Sequence, residues 1–308
     1  MLDKPNLKEE NAIQAKHSAT KIVVVIPTLN ESKAVGKVLA GVKDALDGYE
    51  YQVLIVDGHS SDDTDHIARN MGAYVIYQGG KGYGNALKTG FLHARKSLNA
   101  KIIVMMDADL TYDPKHIPQL VTPILENKAD FVLGNRFAGM QKGAMPLVNQ
   151  IGNRILSMVA KFALGLNVFD TQSGMRAFKS VLLEKMNLIA VGMPLAMEML
   201  AEAHSLNARI YEVPISYHPR VGETKLHPIK DGGKILGTTI RLMFDIRPLL
   251  FFGGIGTVLG VLGLFLHYII PTIDLAHILF PFFFIIGGIV LFLFGLVIVI
   301  IKKFRRRY

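Results

Sequence analysis

The sequence predicts an α/β domain on an open, mostly parallel sheet flanked by helices, followed by a C-terminal two-helix transmembrane hairpin. Three observations predict it. Short β-branched runs alternate with helical patterns from Lys21 to Leu133. The residues ending those runs are repeatedly acidic. Beyond Pro248 the chain is almost purely apolar until Lys302. Strand and helix alternating at this rhythm give parallel strands joined by crossover helices.

Met1 to Thr20 is polar and holds no apolar h-region, so no signal peptide is expected there. Lys21–Ile26, Gln52–Val56, Tyr74–Tyr77, Ile102–Met106 and Phe131–Leu133 read as strands. Helices should follow the first four, starting near Ser32, Asp62, Gly84 and Pro114. In such sheets ligands sit at the carboxyl ends of the strands. The first strand ends in Pro27-Thr28-Leu29-Asn30-Glu31, the second in Asp57-Gly58 and the fourth in Asp107-Ala108-Asp109. No Gly-x-Gly-x-x-Gly follows the first strand, which argues against a Rossmann dinucleotide site, and without a Gly-Lys-Ser/Thr a P-loop is excluded.

Leu249–Ile270 and Ile278–Ile301 are uncharged and apolar, each longer than the ~20 residues needed to cross a bilayer core. Their glycines, among them Gly253, Gly256, Gly260, Gly263, Gly287, Gly288 and Gly295, suit close helix packing in lipid and would also allow a homo-oligomer. A buried hairpin of a soluble protein is the alternative, although such helices rarely run this long without a polar face. The connection Pro271–His277 carries no Lys or Arg, whereas Arg241, Arg247 and the Lys302–Arg307 cluster flank the pair. The positive-inside rule then predicts a multi-pass protein of the cell membrane, with the N-terminal domain and both termini cytoplasmic. Ile229 to Ile246 reads as an amphipathic helix in the membrane interface or as a linker helix packed on the domain. The expected organisation is a polar extension 1–20, an α/β domain 21–225, a juxtamembrane helix 226–247 and a hairpin 248–308.

Composition narrows the chemistry. There are no cysteines, which excludes disulfides and thiolate metal sites. The net charge of +9 lies largely beside apolar segments and is not interleaved with aromatics, so it points to anionic lipid and not to nucleic acid. Asp107 and Asp109, two residues apart at a strand end, can turn into one oxygen-rich pocket suited to Mg²⁺ or Mn²⁺. A divalent ion shared with a diphosphate would neutralise charge growing on a departing nucleotide. The alternative is a strand end that caps the next helix, which Asp113-Pro114 could do alone.

As an ordered set these residues carry a resemblance. Val25-Ile26-Pro27-Thr28-Leu29-Asn30-Glu31, Val56 to Thr64, Gly80-Lys81-Gly82, Asp107-Ala108-Asp109, Gly134-Asn135-Arg136 and Asp170-Thr171-Gln172-Ser173-Gly174-Met175-Arg176 resemble the family 2 glycosyltransferases of GT-A (Rossmann-like) fold. The match runs from about Lys21 to Lys225. Tyr217 to Lys225 is similar to the Arg-x-x-Gly-x-Ser-Lys motif of polyprenyl-phosphate sugar synthases, such as dolichol-phosphate mannose and glucose synthases. The appended pair of helices fits that group, and archaeal members share the layout.

The resemblance implies a nucleotide pocket of Pro27, Glu31, Asp57, Lys81, Gly82, Asp107 and Ala108. It implies metal ligation by Asp107 and Asp109, and acceptor-phosphate contacts from Arg220 and Lys225. Asp109, Asp170, Arg136 and Arg220 would be catalytic, with Arg136 facing phosphate and Asp170 orienting the acceptor side. The implied reaction is an inverting transfer of a hexose or N-acetylhexosamine from UDP-glucose, UDP-N-acetylglucosamine or GDP-mannose. The acceptor would be dolichyl or polyprenyl phosphate, for glycan assembly such as protein N-glycosylation. Each residue also has a structural alternative. Glu31 could cap a helix, Asp57 could bond only its own turn, Arg136 could pair with a surface carboxylate, Arg220 and Lys225 could touch headgroups, and Asp170 could cap a turn.

Two departures from the family pattern stand out. Leu29 replaces a frequent aromatic and Thr111 a polar group such as Gln, while Asn149 and Gln150 stand where arginine is usual, with Arg154 one turn later. Rival readings are a transferase acting on another lipid or a polysaccharide, and a non-catalytic nucleotide-sugar-binding membrane scaffold. A processive polysaccharide synthase is disfavoured, because its Gln-x-x-Arg-Trp motif needs a tryptophan and the chain has none.

Overall fold

The computed structural model describes residues 20–222, 228–269 and 275–305. One seven-stranded sheet comprises β1 (Ile22–Thr28), β2 (Tyr51–Asp57), β3 (Tyr74–Tyr77), β4 (Ile102–Met105), β5 (Phe131–Met140), β6 (Arg176–Lys179) and β7 (Ile210–Tyr217). Its order is β3-β2-β1-β4-β6-β5-β7. The first four in that row are mutually parallel, β6 runs antiparallel to both neighbours, and β5 and β7 are parallel. The expected mostly parallel α/β architecture is therefore observed, with one reversed strand inside the sheet.

The central strands are unbroken apolar runs because both faces of the sheet are covered. Ile22 to Ile26 are all fully buried. The face carrying Ile22, Val24 and Ile26 joins one apolar cluster with α1 (Val35–Ala45) and α4 (Ile117–Leu125). On the opposite face lies α3 (Tyr83–Lys96), where Gly90 sits so close that a Cβ would come within 2.5 Å of Val25 and 2.7 Å of Val56. Phe91 of α3 meets Phe178 edge-on, and Phe178 stacks on Phe131. α2 (Thr64–Asn70) joins β2 to β3. A 3-10 turn at Pro114–His116 precedes α4, and the Asp113 carboxylate caps it by accepting the Lys115 amide, so that alternative role belongs to Asp113.

Two strands escaped the sequence reading. β6 is only four residues and opens on a buried arginine, so no apolar alternation marks it. β7 contains Pro214, which disqualifies a central strand, and it sits at the sheet edge where proline is tolerated. α5 (Leu147–Leu164) and α6 (Leu195–Ser205) complete the domain's helices.

The chain divides into two compact units, Met1–Met158 with Leu166–Leu236, and Val159–Gly165 with Gly237–Tyr308. α7 (Pro228–Ile246), like α5, contributes to both. In the second unit α8 (Pro248–Ile269) packs on α9 (Leu275–Arg305), with Gly256 and Gly288 in backbone-close contact. Segments Pro248–Ile269 and Leu279–Ile301 are long and apolar enough to cross a membrane. Only 17% and 11% of those windows are buried, the reverse of a soluble core helix, which supports membrane association through this end. α9 begins inside the stretch expected to be a loop, and residues 270–274 lie outside the described residues, as do 1–19, 306–308 and the expected acceptor ligand Lys225.

The helix–sheet contact at Gly90 is testable. Gly90→Ala overfills the space between Val25 and Val56 and is expected to destabilise the protein by about 1–3 kcal/mol. Thermal unfolding of the detergent-solubilised chain checks it; an unchanged midpoint would mean that α3 does not press on β1 and β2.

Candidate active site

Three loops leave the carboxyl ends of β1, β2 and β4, and each turns through a non-glycine residue with positive φ: Asn30, His59 and Leu110. Leucine enters this region at a cost of about 1–2 kcal/mol, so the surrounding contacts must hold the Leu110 turn in place. The first two loops are stitched together. Asn30 accepts the Ser61 amide at 2.8 Å and gives its own amide to Ser60 Oγ at 2.9 Å. The Glu31 amide donates to Thr64 Oγ1 at 2.8 Å, and the Ser32 amide to Asp62. Burial opposes the charge on Asp62, but hydrogen bonds from Thr64 and Ser32 outweigh it and hold the carboxyl at about 2.

Asp57 is almost fully buried within this stitching. It accepts the Thr28 hydroxyl at 2.9 Å, the Ser60 amide at 2.7 Å and the Ser60 hydroxyl at 2.6 Å. Its contacts are thus those of a turn clamp between β1 and β2. Pro27 stands in register with Val56 beside it. Lys81 and Gly82 are exposed at the start of α3, where Gly82 adopts φ +102° and backs onto the Val191 carbonyl.

The turn after β4 gathers the charge. Asp109 Oδ1 accepts the Thr111 amide at 3.0 Å and its hydroxyl at 2.5 Å. Oδ2 lies 3.0 Å from Arg220 Nη1, and Arg220 Nη2 donates to Glu31 Oε1 at 2.6 Å. Arg220 is delivered by the segment after β7, whose amides at His218 and Val221 donate to the carbonyls of Thr111 and Asp109. Its Nε is buried with no partner among the described residues. Glu31 therefore spends its side chain on Arg220, while its carbonyl accepts the amides that open α1.

Asp107 accepts the Tyr83 hydroxyl at 2.8 Å, and its other oxygen faces Gly174, where a Cβ would intrude to 2.7 Å. Burial first, and then the neighbouring Asp109 carboxylate, push Asp107 up to about 7. Ala108 between them is buried. Tyr112 closes this wall, accepting the Gly174 amide at 2.6 Å. Burial pushes both tyrosines well above their ordinary range, so they stay neutral.

Arg136 and Asp170 come together, but as a pair and not on an open surface. Arg136 donates from Nε at 2.7 Å and Nη2 at 2.8 Å, and its amide adds a third bond to the same carboxylate at 3.0 Å. Asp170 is fully buried, Arg136 nearly so, and the guanidinium lies over Tyr217. This differs from an Arg136 turned toward phosphate and from a pairing with a surface carboxylate. The reason is that Glu212 of β7 accepts the amides of Phe169 and Asp170 and brings that carboxylate under the end of β5. Arg176, also fully buried, donates to the carbonyls of Thr171, Ser173 and Ala196. Burial lowers its pKa to about 10.

Sequence reasoning did not single out Tyr83, Tyr112, Glu212 or Glu198. Glu198 is buried on α6 and accepts the Ile189 and Ala190 amides at 2.9 and 2.8 Å, holding the loop whose Val191 covers the start of α3. The signal for Glu198 was a carboxylate inside an apolar helix; the tyrosines left none.

Two outcomes follow from this geometry. Arg136→Ala strands a buried carboxylate and is expected to cost about 3–5 kcal/mol in chemical denaturation. Unchanged stability with weakened phosphate binding would return Arg136 to the ligand. Asp107 binds its proton more tightly folded than at its ordinary 3.8, so the stability of metal-stripped protein should fall as pH rises from about 4 to 7. Asp107→Asn should flatten that slope. Asp62, with its depressed value, titrates below this window, so a slope unaltered in Asp107→Asn would refute the assignment.

Comparison with known proteins places the chain in a family. Residues 23–186 match the model of the glycosyl transferase family 2 domain. The chain is 31% identical over 301 residues to glycosyltransferase AglJ of Haloferax volcanii, covering 92% of this chain and 95% of that one. It is 36% identical over 228 residues to a dolichyl-phosphate hexose transferase of the same organism, covering 73% and 95%. Among solved structures it is similar in fold to glucosyl-3-phosphoglycerate synthase of Mycobacterium tuberculosis in complex with Mn²⁺, UDP-glucose and phosphoglyceric acid. That likeness has a TM-score of 0.60 and 21% identity, over 79% of this chain and 86% of that one. The acidic rim, the sheet order and these matches together identify the chain as a glycosyltransferase belonging to glycosyl transferase family 2.

Proposed function

We propose that the protein transfers a hexose or N-acetylhexosamine from a nucleoside diphosphate sugar to a polyprenyl or dolichyl phosphate at the membrane surface, with inversion at the anomeric carbon. The observation that carries this reading is Arg220 clasped between Asp109 and Glu31 at the end of β4. A guanidinium held by two carboxylates, with a further buried N–H that has no partner among the described residues, is suited to exchange them for phosphate oxygens, which its planar fork binds bidentately. The likeness to a dolichyl-phosphate hexose transferase supports a lipid phosphate acceptor. The glucosyl-3-phosphoglycerate synthase complex supports a nucleotide-sugar donor.

Among the described residues no group of three or more His, Asp or Glu side chains forms a metal cage. Asp107 and Asp109, neighbouring carboxylates that repel one another, would hold an ion of the Mg²⁺ or Mn²⁺ type. Bound there, it would offset the charge that develops on the departing diphosphate. The chain's own groups do the rest. Pro27, Glu31, Asp57, Lys81, Gly82 and Ala108 border the nucleotide side, with Asp57 acting through the turn it clamps. Arg136 and Asp170 fix the wall behind the acceptor, and Arg220 with Lys225 meets its phosphate. An acceptor phosphate oxygen bonds to the sugar's anomeric carbon as the bond from that carbon to the diphosphate oxygen breaks, its electron pair leaving with the nucleoside diphosphate. The acceptor is already an anion at pH 7, so no strong base is needed, and positioning and electrostatics supply the catalysis.

The same reading has the two apolar helices cross the cell membrane, with the sheet domain and both termini on the cytoplasmic side. Among donors, UDP-glucose and UDP-N-acetylglucosamine rank before GDP-mannose.

The test uses purified protein in lipid nanodiscs with a short polyprenyl phosphate, Mg²⁺ or Mn²⁺, and a panel of labelled nucleotide sugars. Product from one donor, lost without divalent metal, is expected. Asp109→Ala should lower turnover by about two orders of magnitude or more and also lower the unfolding midpoint, because Thr111 and Arg220 lose their shared carboxylate. Asp109→Asn, which still accepts from Thr111, should lose turnover with a smaller midpoint shift. Full turnover of Asp109→Ala in metal-replete buffer would refute its role. Transfer to a soluble acceptor and none to the lipid would refute the acceptor.

A further inference from the structure

The turn that opens α3 has almost no side chains with which to hold itself. From Gly79 to Gly84 only Lys81 and Tyr83 are not glycine, and Lys81 is exposed. Its back is closed by main chain. A Cβ at Gly82 would come within 2.6 Å of the Val191 carbonyl oxygen. One at Gly84 would come within 2.7 Å of Val191 and 2.9 Å of Gly192 backbone atoms. The Asn85 amide donates to the Val191 carbonyl at 3.3 Å, and Lys88 Nζ to the Ile189 carbonyl at 3.3 Å. Glu198 holds that loop in turn through the amides of Ile189 and Ala190. The turn therefore leans on a fixed support, and Tyr83 is the side chain left to fasten its front.

What Tyr83 grips is the acidic turn. Its hydroxyl donates to Asp107 Oδ1 at 2.8 Å, across 24 residues of sequence. Among the described residues no other side chain donates to this carboxylate. The second oxygen, Oδ2, stands where a Cβ on Gly174 would come within 2.7 Å, so the backbone there walls it in. One phenol and one glycine thus fix the plane of the carboxylate. Tyr83 is also the first residue of α3, so the bond that orients Asp107 fastens the start of the helix to the end of β4.

We propose that Tyr83 is a positioning residue of the donor site. Its hydroxyl sets the orientation of the Asp107 carboxylate and, through the same bond, the place of the Lys81–Gly82 turn beside it. A ligand that touches both then meets them at one fixed spacing. Groups that stand behind direct contacts orient them, and loss of one commonly weakens binding about 10–100-fold. Phenylalanine would fill the same space and offer the carboxylate no donor, which frees Asp107 and the turn to move apart. This role rests on the reading above in which Lys81, Gly82 and Asp107 border the nucleotide; it does not depend on the acceptor.

Tyr83→Phe, Asp107→Ala and the double variant are made in the full chain, and UDP and GDP, each with Mn²⁺, are titrated by calorimetry. Tyr83→Phe is expected to weaken nucleotide binding about 10–100-fold. In the Asp107→Ala background the same change should add less than about twofold, because the hydroxyl has nothing left to hold. Losses that multiply in the double variant would overturn the proposal, since Tyr83 would then act independently of Asp107. In the transfer assay Tyr83→Phe should raise the donor KM while the acceptor KM stays within about twofold; equal rises in both would overturn it as well. Gly90→Ala, which strains α3 away from its first turn, should keep the parent's nucleotide affinity, and a loss matching that of Tyr83→Phe would trace the effect to general stability. Parent-like binding by Tyr83→Phe beside weakened binding by Asp107→Ala would overturn this role and leave the donor reading standing. A parent that binds neither nucleotide, or Asp107→Ala that binds as the parent does, would sink the donor reading and this role with it.

Discussion

Asp109 has two carboxylate oxygens, and the organisation of the rim follows from what they hold. One is fixed by Thr111, which closes the turn after β4 and keeps Leu110 in its left-handed conformation. The other holds Arg220, which also reaches Glu31 at the end of β1. A single guanidinium therefore connects three chain segments, from β1, from β4 and from beyond β7, that are far apart in sequence. Carboxylates this crowded repel one another unless a cation lies between them, and that repulsion adds to burial in raising Asp107.

Behind this clasp the domain places two buried arginines with different solutions to the same desolvation problem. Arg136 is neutralised by Asp170 in a bidentate pair. Arg176 meets no carboxylate in that role and instead satisfies three carbonyls, two of them in the Asp170–Gly174 turn. The turn that carries Asp170 is thus held from Glu212 on one side and Arg176 on the other. Gly174 within it lets Asp107 and Tyr112 approach, because any side chain there would displace them. The site is stiff where it must keep charges apart, and Arg220, whose buried Nε has no hydrogen-bond partner among the described residues, stands at its edge.

The parallel half of the sheet was legible because strands buried on both faces must be apolar throughout, and Ile22–Ile26 and Ile102–Met106 have no other reading. β6 and β7 were not, since one opens on an arginine and the other contains a proline, and both are held in the sheet by pairing, β6 with β4 and β5 and β7 with β5. The acidic turn was legible as a cluster of charge at the end of a strand. Its partners were not: Tyr83, Tyr112 and Glu212 look like ordinary aromatic and surface residues until the fold brings them to Asp107, Gly174 and Asp170. Arg136 carries the same lesson in reverse. An arginine in a recognisable Gly-Asn-Arg segment reads as a phosphate ligand, yet tertiary burial gives it a carboxylate partner that the sequence places 34 residues away.

By itself the sequence determined the family, the run of parallel strands, the carboxyl-end location of the acidic loops and the two apolar C-terminal helices. These depend on local patterning: period, length, charge and motif spacing. Only the tertiary structure decided which charges pair, that Arg220 stands between Asp109 and Glu31, and that the Tyr83 hydroxyl reaches Asp107. Such pairings are set by distances between segments remote in sequence, and no local pattern encodes those distances.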